Sequence, residues 1–152
     1  MFSTIVHPTD LSEASIPALQ SAYELTKRLN SKLIVCYIAH TPLVAEGSSI
    51  TDPETKQTRD IGQELESYQS KDSGVDSELR IVVTEKTTRV KTLLKFLEDM
   101  NCDLLVMGMH RRAGMAGLLG PSITEEVVRR AGCAVLVVKQ HDTEYEFEGE
   151  NA

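Results

Sequence analysis

The chain has 152 residues and an ordinary hydrophobic content of 41%, which predicts one globular domain with a sizeable core. Its 16 Lys+Arg against 23 Asp+Glu give a formal net charge of -7, so no nucleic-acid partner is expected. No apolar run approaches the roughly 20 residues that span a bilayer, and no signal-peptide pattern opens the chain. We therefore expect a cytoplasmic protein with no membrane partner.

The three cysteines, Cys36, Cys102 and Cys133, form no close pair, so buried free thiols are expected rather than a disulfide framework.

The first half of the chain alternates short apolar strands with amphipathic helices. Residues 4–6 predict a β-branched strand that ends at His7 and Pro8, because proline removes a ladder donor. Pro17 is tolerated only in a first turn, so a helix is predicted from near Ser15 to Asn30. Its predicted buried face is Ile16, Leu19, Ala22, Leu25 or Thr26, and Leu29. Residues 33–38 form a continuous apolar run, typical of a parallel strand covered on both faces. After a loop, residues 54–70 predict a helix with a narrow stripe of Ile61, Leu65 and Tyr68.

The second half repeats this alternation. Residues 78–84 predict a third strand near a sheet edge, and Thr87 or Thr88 is expected to cap the next helix. The predicted buried face of that helix is Val90, Leu93, Leu94 and Leu97. Residues 103–108 predict a strand that breaks at Gly108, residues 122–131 a helix, and residues 134–138 a last strand. The inward positions of that last helix are predicted to be Ile123, Val127, Val128 and Ala131. We expect an acidic, disordered tail over residues 142–152, behind a domain of residues 1–141.

The order β-α-β-α-β-α-β-α-β predicts an α/β fold in which helices cover both faces of a parallel sheet. Ligands of such sheets bind outside the carboxyl ends of the strands, where the strand order reverses. The glycine-rich stretch from Gly108 to Ser122, which joins the fourth strand to the last helix, is therefore the candidate site. Backbone N–H groups and a helix dipole there favour an anion, and Arg111 and Arg112 add positive charge.

Motifs of the common enzymes of this fold class are absent. The sequence has neither a Gly-x-x-x-x-Gly-Lys-Ser/Thr loop nor a Gly-x-Ser-x-Gly elbow. A phospho-receiver domain needs paired acids after its first strand, and here Asp10 stands alone. The four histidines, His7, His40, His110 and His141, show no metal-ligand spacing. We expect a protein that is not an enzyme and holds no metal centre; a weak ATPase is a third interpretation, with no general base to assign.

Three stretches together resemble the universal stress protein family. They are the opening VHPTDLSEAS at residues 6–15, DLLVMGMH at residues 103–110, and residues 122–138 with Cys133 before VLVV. The likeness extends to Lys139. It implies a Rossmann-like (adenine nucleotide alpha hydrolase-like) three-layer sandwich with a five-stranded parallel sheet of order 3-2-1-4-5. It also implies a homodimer, formed through the last strand at residues 134–138.

The ATP-binding branch of that family has a pattern that resembles Gly-x2-Gly-x9-Gly-Ser/Thr. Aligned without a gap, Gly108 and Ser122 match its ends, while Arg111 and Pro121 replace the second and third glycines. Arg111 would block or contact phosphates, and Pro121 lacks an N–H, although Gly120 stands beside it. The resemblance implies that an adenine nucleotide, with Mg²⁺ if it is ATP, is bound by Pro8, Thr9, Asp10, Ile38, Met107, Gly108, His110, Arg111, Arg112, Gly120, Pro121, Ser122 and Ile123.

Several of these residues also have a structural interpretation. Asp10 with Glu13, and Ser122 with Glu125, match the capping-box pattern that opens a helix. The two arginines are equally consistent with a plain surface loop, and for His110 a plain loop histidine is the favoured interpretation. Two functions stay open. One is a universal stress protein that acts as an adenine-nucleotide-responsive regulator, in which binding reshapes the glycine-rich loop shown to an unknown protein partner. The alternative is a dimeric interaction module that binds no nucleotide.

Overall fold

Five parallel strands form the centre of the computed structural model, which describes residues 1–10, 15–40, 62–67, 74–84, 88–109 and 121–139. The strands are β1 (Thr4–Thr9), β2 (Lys32–His40), β3 (Asp76–Thr84), β4 (Leu104–Met109) and β5 (Ala134–Lys139). The helices are α1 (Ile16–Leu29), α2 (62–67), α3 (Arg89–Asp99) and α4 (Pro121–Arg130). The sheet order is β3-β2-β1-β4-β5, with every pair parallel. The predicted order 3-2-1-4-5 is confirmed, and β3 lies at an edge as expected.

Helices cover both faces of the sheet, which gives the three predicted layers. Successive strand residues point to opposite faces. Ile5 and Val106 therefore pack with Leu19 of α1 on one face, whereas Val6 and Met107 pack under α3 and α4 on the other. Leu65 of α2 is buried against the first face, while Ile61, Tyr68 and the acidic tail lie outside the described residues. No helix within the described ranges is long and apolar enough to span a membrane.

Helix ends agree with the sequence at three places. Ser15 is the N-cap of α1, and α1 ends at Asn30, whose φ of 52° is left-handed. Asparagine adopts this conformation more readily than other residues with a side chain. The Oγ1 of Thr88 accepts a hydrogen bond from the Lys91 N–H at 3.2 Å and so caps α3. These three predictions are confirmed.

Two positions assigned to buried helix faces were wrong. Leu29 of α1 is 45% exposed, and Val128 of α4 is 50% exposed. On α4 the buried positions are Val127, as predicted, and Thr124, which lies three residues before it on the same helix face. Val128 is the next residue after Val127 and is rotated by about 100° away from the sheet.

Strands β1 and β4 both end later than predicted. The expectations that β1 ends at His7 and Pro8, and that β4 breaks at Gly108, were wrong, because these strands continue to Thr9 and Met109. The Lys32 N–H donates to the Ser3 carbonyl at 2.8 Å, so the odd-numbered residues of β1 direct their backbone groups to β2. The backbone of Pro8 therefore faces β4. The N–H that proline lacks would not have bonded to β2, so the pairing of β1 with β2 continues to the end of the strand.

The Asp103 side chain ties the start of β1 to the start of β4. Its Oδ2 accepts hydrogen bonds from the Ser3 and Thr4 N–H groups, each at 3.0 Å. The Asp103 N–H in turn donates to the Thr4 carbonyl at 3.0 Å. An ionised acceptor makes such bonds stronger than those between neutral groups, so Asp103 stabilises the central strand pair at its amino end.

We expect Asp103→Ala to lower the free energy of unfolding by about 1–3 kcal/mol, because two backbone donors lose a charged acceptor. Asp103→Asn keeps an acceptor oxygen and should lose less. Urea unfolding measures both. Asp99→Ala is the matched control: Asp99 pairs with Lys95 at 3.4 Å on an exposed helix surface, and its loss should cost at most about 0.5 kcal/mol. Equal stability of Asp103→Ala and the wild type would contradict this role.

Candidate ligand site where the strand order reverses

The carboxyl ends of β1, β2 and β4 bring four predicted site residues to one edge of the sheet. The chain leaves β1 towards β2 on one side and leaves β4 towards β5 on the other, so the order reverses between β1 and β4. Thr9 pairs with Tyr37, which places Asp10 level with Ile38. Val6 pairs with Leu105, and the same register three residues further brings Thr9 level with Gly108. Reversals of this kind form the ligand crevices of open α/β sheets.

The ladder between β1 and β4 stops where the crevice begins. Its pairs are Ile5 with Leu104 and Val6 with Leu105. The next β1 residue whose backbone faces β4 is Pro8, which has no N–H to donate. The Val106 carbonyl, which such an N–H would reach, instead accepts a hydrogen bond from His7 Nδ1 at 2.9 Å. A side chain thus replaces the backbone bond, and the register pairs of β1 with β4 end at Val6 and Leu105.

His7 is a fully buried, neutral imidazole beside this crevice. A carbonyl can only accept, so Nδ1 carries the proton, and the neutral ring leaves Nε2 as an acceptor. Nε2 is buried and has no hydrogen-bond partner among the residues that the structure describes. Burial lowers the pKa of His7 from 6.5 to about 4, against smaller opposing effects of the Val106 bond and the Asp10 charge. Sequence reasoning missed this role, for which the available signal was a histidine directly before a strand proline.

Asp10 lies one residue beyond β1 and does not cap α1. The N-cap of α1 is Ser15, and Glu13, the second residue of the predicted Asp10 capping box, lies outside the described residues. The Oγ atoms of Ser15 and Thr9 form a buried hydrogen bond at 2.9 Å, which ties the end of β1 to the start of α1. Asp10 itself is half-buried.

The first turn of α4 offers backbone donors. The helix begins at Pro121, so Ser122 lies inside the first turn and the prediction that it is the N-cap was wrong. Proline suits the first helical position, because its φ is already helical and an N–H there would have no intrahelical partner. The Ser122 and Ile123 N–H groups remain as first-turn donors. No acidic residue lies in this turn, so the positive end of the helix dipole is not neutralised from within it.

The remaining predicted site residues divide into two groups. Ile38 and Met107 are buried in the core cluster under α3 and α4, so their side chains support the crevice floor. His110, Arg111, Arg112 and Gly120 lie outside the described residues. Among the described residues, no group of three or more His, Cys, Asp or Glu side chains is arranged to hold a metal ion.

A parallel sheet of order 3-2-1-4-5, covered by helices on both faces and opened between β1 and β4, defines the Rossmann-like class of three-layer α/β proteins. Within that class, the model of the universal stress protein family matches residues 1–139. The chain belongs to the universal stress protein family.

Individual relatives agree with this assignment. One universal stress protein of Methanocaldococcus jannaschii is 29% identical over 147 residues, which cover 92% of this chain and 84% of the relative. A second from the same organism is 21% identical over 160 residues, covering 94% and 98%. A universal stress protein solved in complex with cAMP is 26% identical with a TM-score of 0.66, covering 92% of this chain and 98% of that one. The Archaeoglobus fulgidus protein solved with dAMP shares the fold at 18% identity and a TM-score of 0.57, covering 91% and 98%.

The buried imidazole of His7 predicts a loss of stability in acid. Below pH 6.5 the unfolded chain binds a proton that the folded chain does not bind until about pH 4. The free energy of unfolding should therefore fall as the pH falls through this window, by up to about 3 kcal/mol from His7 alone. His7→Asn keeps an amide N–H near the Nδ1 position and cannot titrate, so it should lack this part of the decline. Urea unfolding across the window, in both proteins, measures the difference. The same pH dependence in the wild type and in His7→Asn would contradict the assignment of His7 as a buried, neutral imidazole.

Proposed function

We propose that this universal stress protein binds an adenine nucleotide in the crevice between β1 and β4 and acts as a nucleotide-responsive regulator. The observation that carries the proposal is the end of the β1–β4 ladder at Pro8, at the edge where Asp10, Ile38 and Gly108 meet. The relative solved with cAMP supports an adenine nucleotide as the class of ligand. ATP, with Mg²⁺ as the companion ion of its phosphates, is the first nucleotide to test.

The residues at the crevice suit the parts of such a ligand. A carboxylate at Asp10 can accept hydrogen bonds from ribose hydroxyl groups, and bonds to a charged acceptor contribute about 1.5–3 kcal/mol each. The apolar side chain of Ile38, level with Asp10, supports the base from below. The first-turn N–H groups of Ser122 and Ile123 and the dipole of α4 favour the phosphates. Arg111 would supply the charge that replaces the bare backbone of a glycine.

We propose binding without turnover. A general base works best when its pKa lies near the working pH. The pKa of His7, lowered to about 4 by burial, makes its Nε2 a poor base at neutral pH. Its Nδ1–H is already committed to the Val106 carbonyl. The regulatory output we infer is a change in the loop between Gly108 and Ser122, read by a protein partner.

Calorimetric titration of the full chain with Mg·ATP, ADP, AMP and cAMP tests the proposal. We expect saturable binding of at least one of them, and about a tenfold loss of affinity in Asp10→Asn, which corresponds to about 1.4 kcal/mol. Asp76→Asn is the matched control, since Asp76 is exposed at the amino end of β3 and should leave affinity unchanged. Equal effects of the two substitutions would contradict the assigned crevice.

A second variant separates a working site from a closed one. In Arg111→Gly/Pro121→Gly, both departures from the family pattern are reversed. If the wild type binds no nucleotide and this variant does, the site has been closed by two substitutions and the dimeric interaction module becomes the function. If neither binds while both are folded, the nucleotide proposal is wrong.

The exposed edge of β5 favours a homodimer in either case. Both β3 and β5 are edge strands, and unpaired edges invite pairing with another chain. The β3 edge carries charges, with Glu78 bound to Lys32 at 3.7 Å and to Arg80 at 3.1 Å. The β5 strand is apolar from Ala134 to Val138, and its Leu136 is 40% exposed. We propose that β5 pairs with β5 of a second copy.

Leu136→Glu should dissociate this dimer, because it places a charge in the apolar contact. The matched control is Ile81→Glu, since Ile81 is 54% exposed on the β3 edge and should leave the dimer intact. Sedimentation velocity measures the oligomeric state of the wild type, Leu136→Glu and Ile81→Glu. A monomeric wild type, or a dimer that only Ile81→Glu disrupts, would rule out pairing through β5.

A further inference from the structure

Cys102 and Cys133 lie side by side at the amino ends of β4 and β5, at the opposite end of the sheet from the crevice. Leu104 pairs with Ala134. Cys133 directly precedes Ala134, and Cys102 lies two residues before Leu104, so both cysteines stand at the same end of neighbouring strands. Both pack against the core cluster under α3 and α4, and both line one cavity. A disulfide requires two cysteines whose side chains are neighbours in this way.

The two thiols interact directly. Both side chains are half-buried and pack against the core cluster under α3 and α4. Burial raises the pKa of Cys102 well above its ordinary value, and the charge and a side-chain hydrogen bond of Cys133 raise it further. The backbone groups of Val6 and Leu104 act in the opposite direction, because they favour the Cys102 thiolate. Cys102 is therefore a protonated thiol in the reduced protein, and the backbone groups of Val6 and Leu104 can donate hydrogen bonds to its thiolate.

Regular backbone structure holds both cysteines in position. At the end of α3, Asn101 adopts a left-handed φ of 50°. The Cys102 N–H donates to the Leu97 carbonyl at 2.9 Å, and the Asn101 N–H to the Glu98 carbonyl at 3.0 Å, which together form a Schellman turn. Cys133 directly precedes β5. Neither thiol is carried by a long loop, so their proximity is built into the fold.

A cavity of about 290 Å³ gives small molecules access to the pair. Its lining includes both cysteines, with Glu98, Arg130 and Gly132 around them. Cys36 differs in burial and in position: it is fully buried in the core and does not line this cavity. The third cysteine is thus an internal control.

We propose that Cys102 and Cys133 are a redox-active dithiol that a low-molecular-weight disulfide converts into an intramolecular disulfide. The Cys133 thiolate attacks one sulfur of the small disulfide, whose S–S bond breaks and releases one small thiol. The Cys102 thiol loses its proton to solvent, and its sulfur attacks that of Cys133, which releases the second small thiol. Two protein thiols are oxidised, and one small disulfide is reduced to two thiols. Backbone donors at Val6 and Leu104 stabilise the Cys102 thiolate in the second step.

The test uses oxidised glutathione on the native, fully reduced chain. After an acid quench, free thiols are alkylated in denaturant, and the products are analysed by intact and peptide mass spectrometry. We expect the wild type to retain one alkylated cysteine, Cys36, and to yield a linked Cys102–Cys133 peptide pair. Cys36→Ser should form the same link. Cys102→Ser should stop at a mixed disulfide with glutathione on Cys133, and Cys133→Ser should form no intramolecular link.

Three results would overturn the proposal. They are a wild-type mixed disulfide that never closes, a Cys102–Cys133 link that forms only after unfolding in urea, and a link between two chains. The Cys36→Ser variant and the wild type both retain the dithiol, so the test does not depend on whether the Cys102 and Cys133 variants fold.

Discussion

The hydrogen bond from His7 Nδ1 to the Val106 carbonyl makes an open crevice compatible with a well-bonded sheet. In a fully paired sheet, backbone bonds would join β1 and β4 to their ends. Pro8 removes the donor at the point of opening, and a buried carbonyl without a partner costs about 1–3 kcal/mol. His7 satisfies that carbonyl from the side. The imidazole is therefore held neutral in the core, and the pairing of β1 with β4 ends below Asp10 and Gly108, where we propose that the ligand binds.

Most of the fold was predictable from the sequence, because strand–helix alternation and helix ends depend on local patterns such as Thr88 and Asn30. The strand order came from the family resemblance. The role of His7 was missed, because a histidine directly before a strand proline indicates this role only once it is known which neighbouring strand Pro8 faces. That direction is set by the pairing of β1 with β2, and a shift of one residue would reverse it. The capping pattern at Ser122 misled for a related reason: a short motif does not show where the first turn of a helix lies.

The two ends of the sheet have different chemistry because all five strands run in the same direction. The carboxyl ends meet the start of α4, where N–H donors and a positive dipole favour an anion. The amino ends of β4 and β5 meet the ends of α3 and α4, and there two thiols lie together. About thirty residues separate Cys102 from Cys133 in sequence, so no local pattern joins them. The parallel register brings them together by placing each just before a neighbouring strand.

The most direct test of the crevice is a map of amide chemical shifts by nuclear magnetic resonance as an adenine nucleotide is added to the labelled protein. The account predicts that the largest changes occur at Asp10, Ile38, Gly108 and Ser122, with little change at Cys102 and Cys133. Saturable changes centred on the amino ends of β4 and β5, or no saturable change at the carboxyl ends, would contradict it.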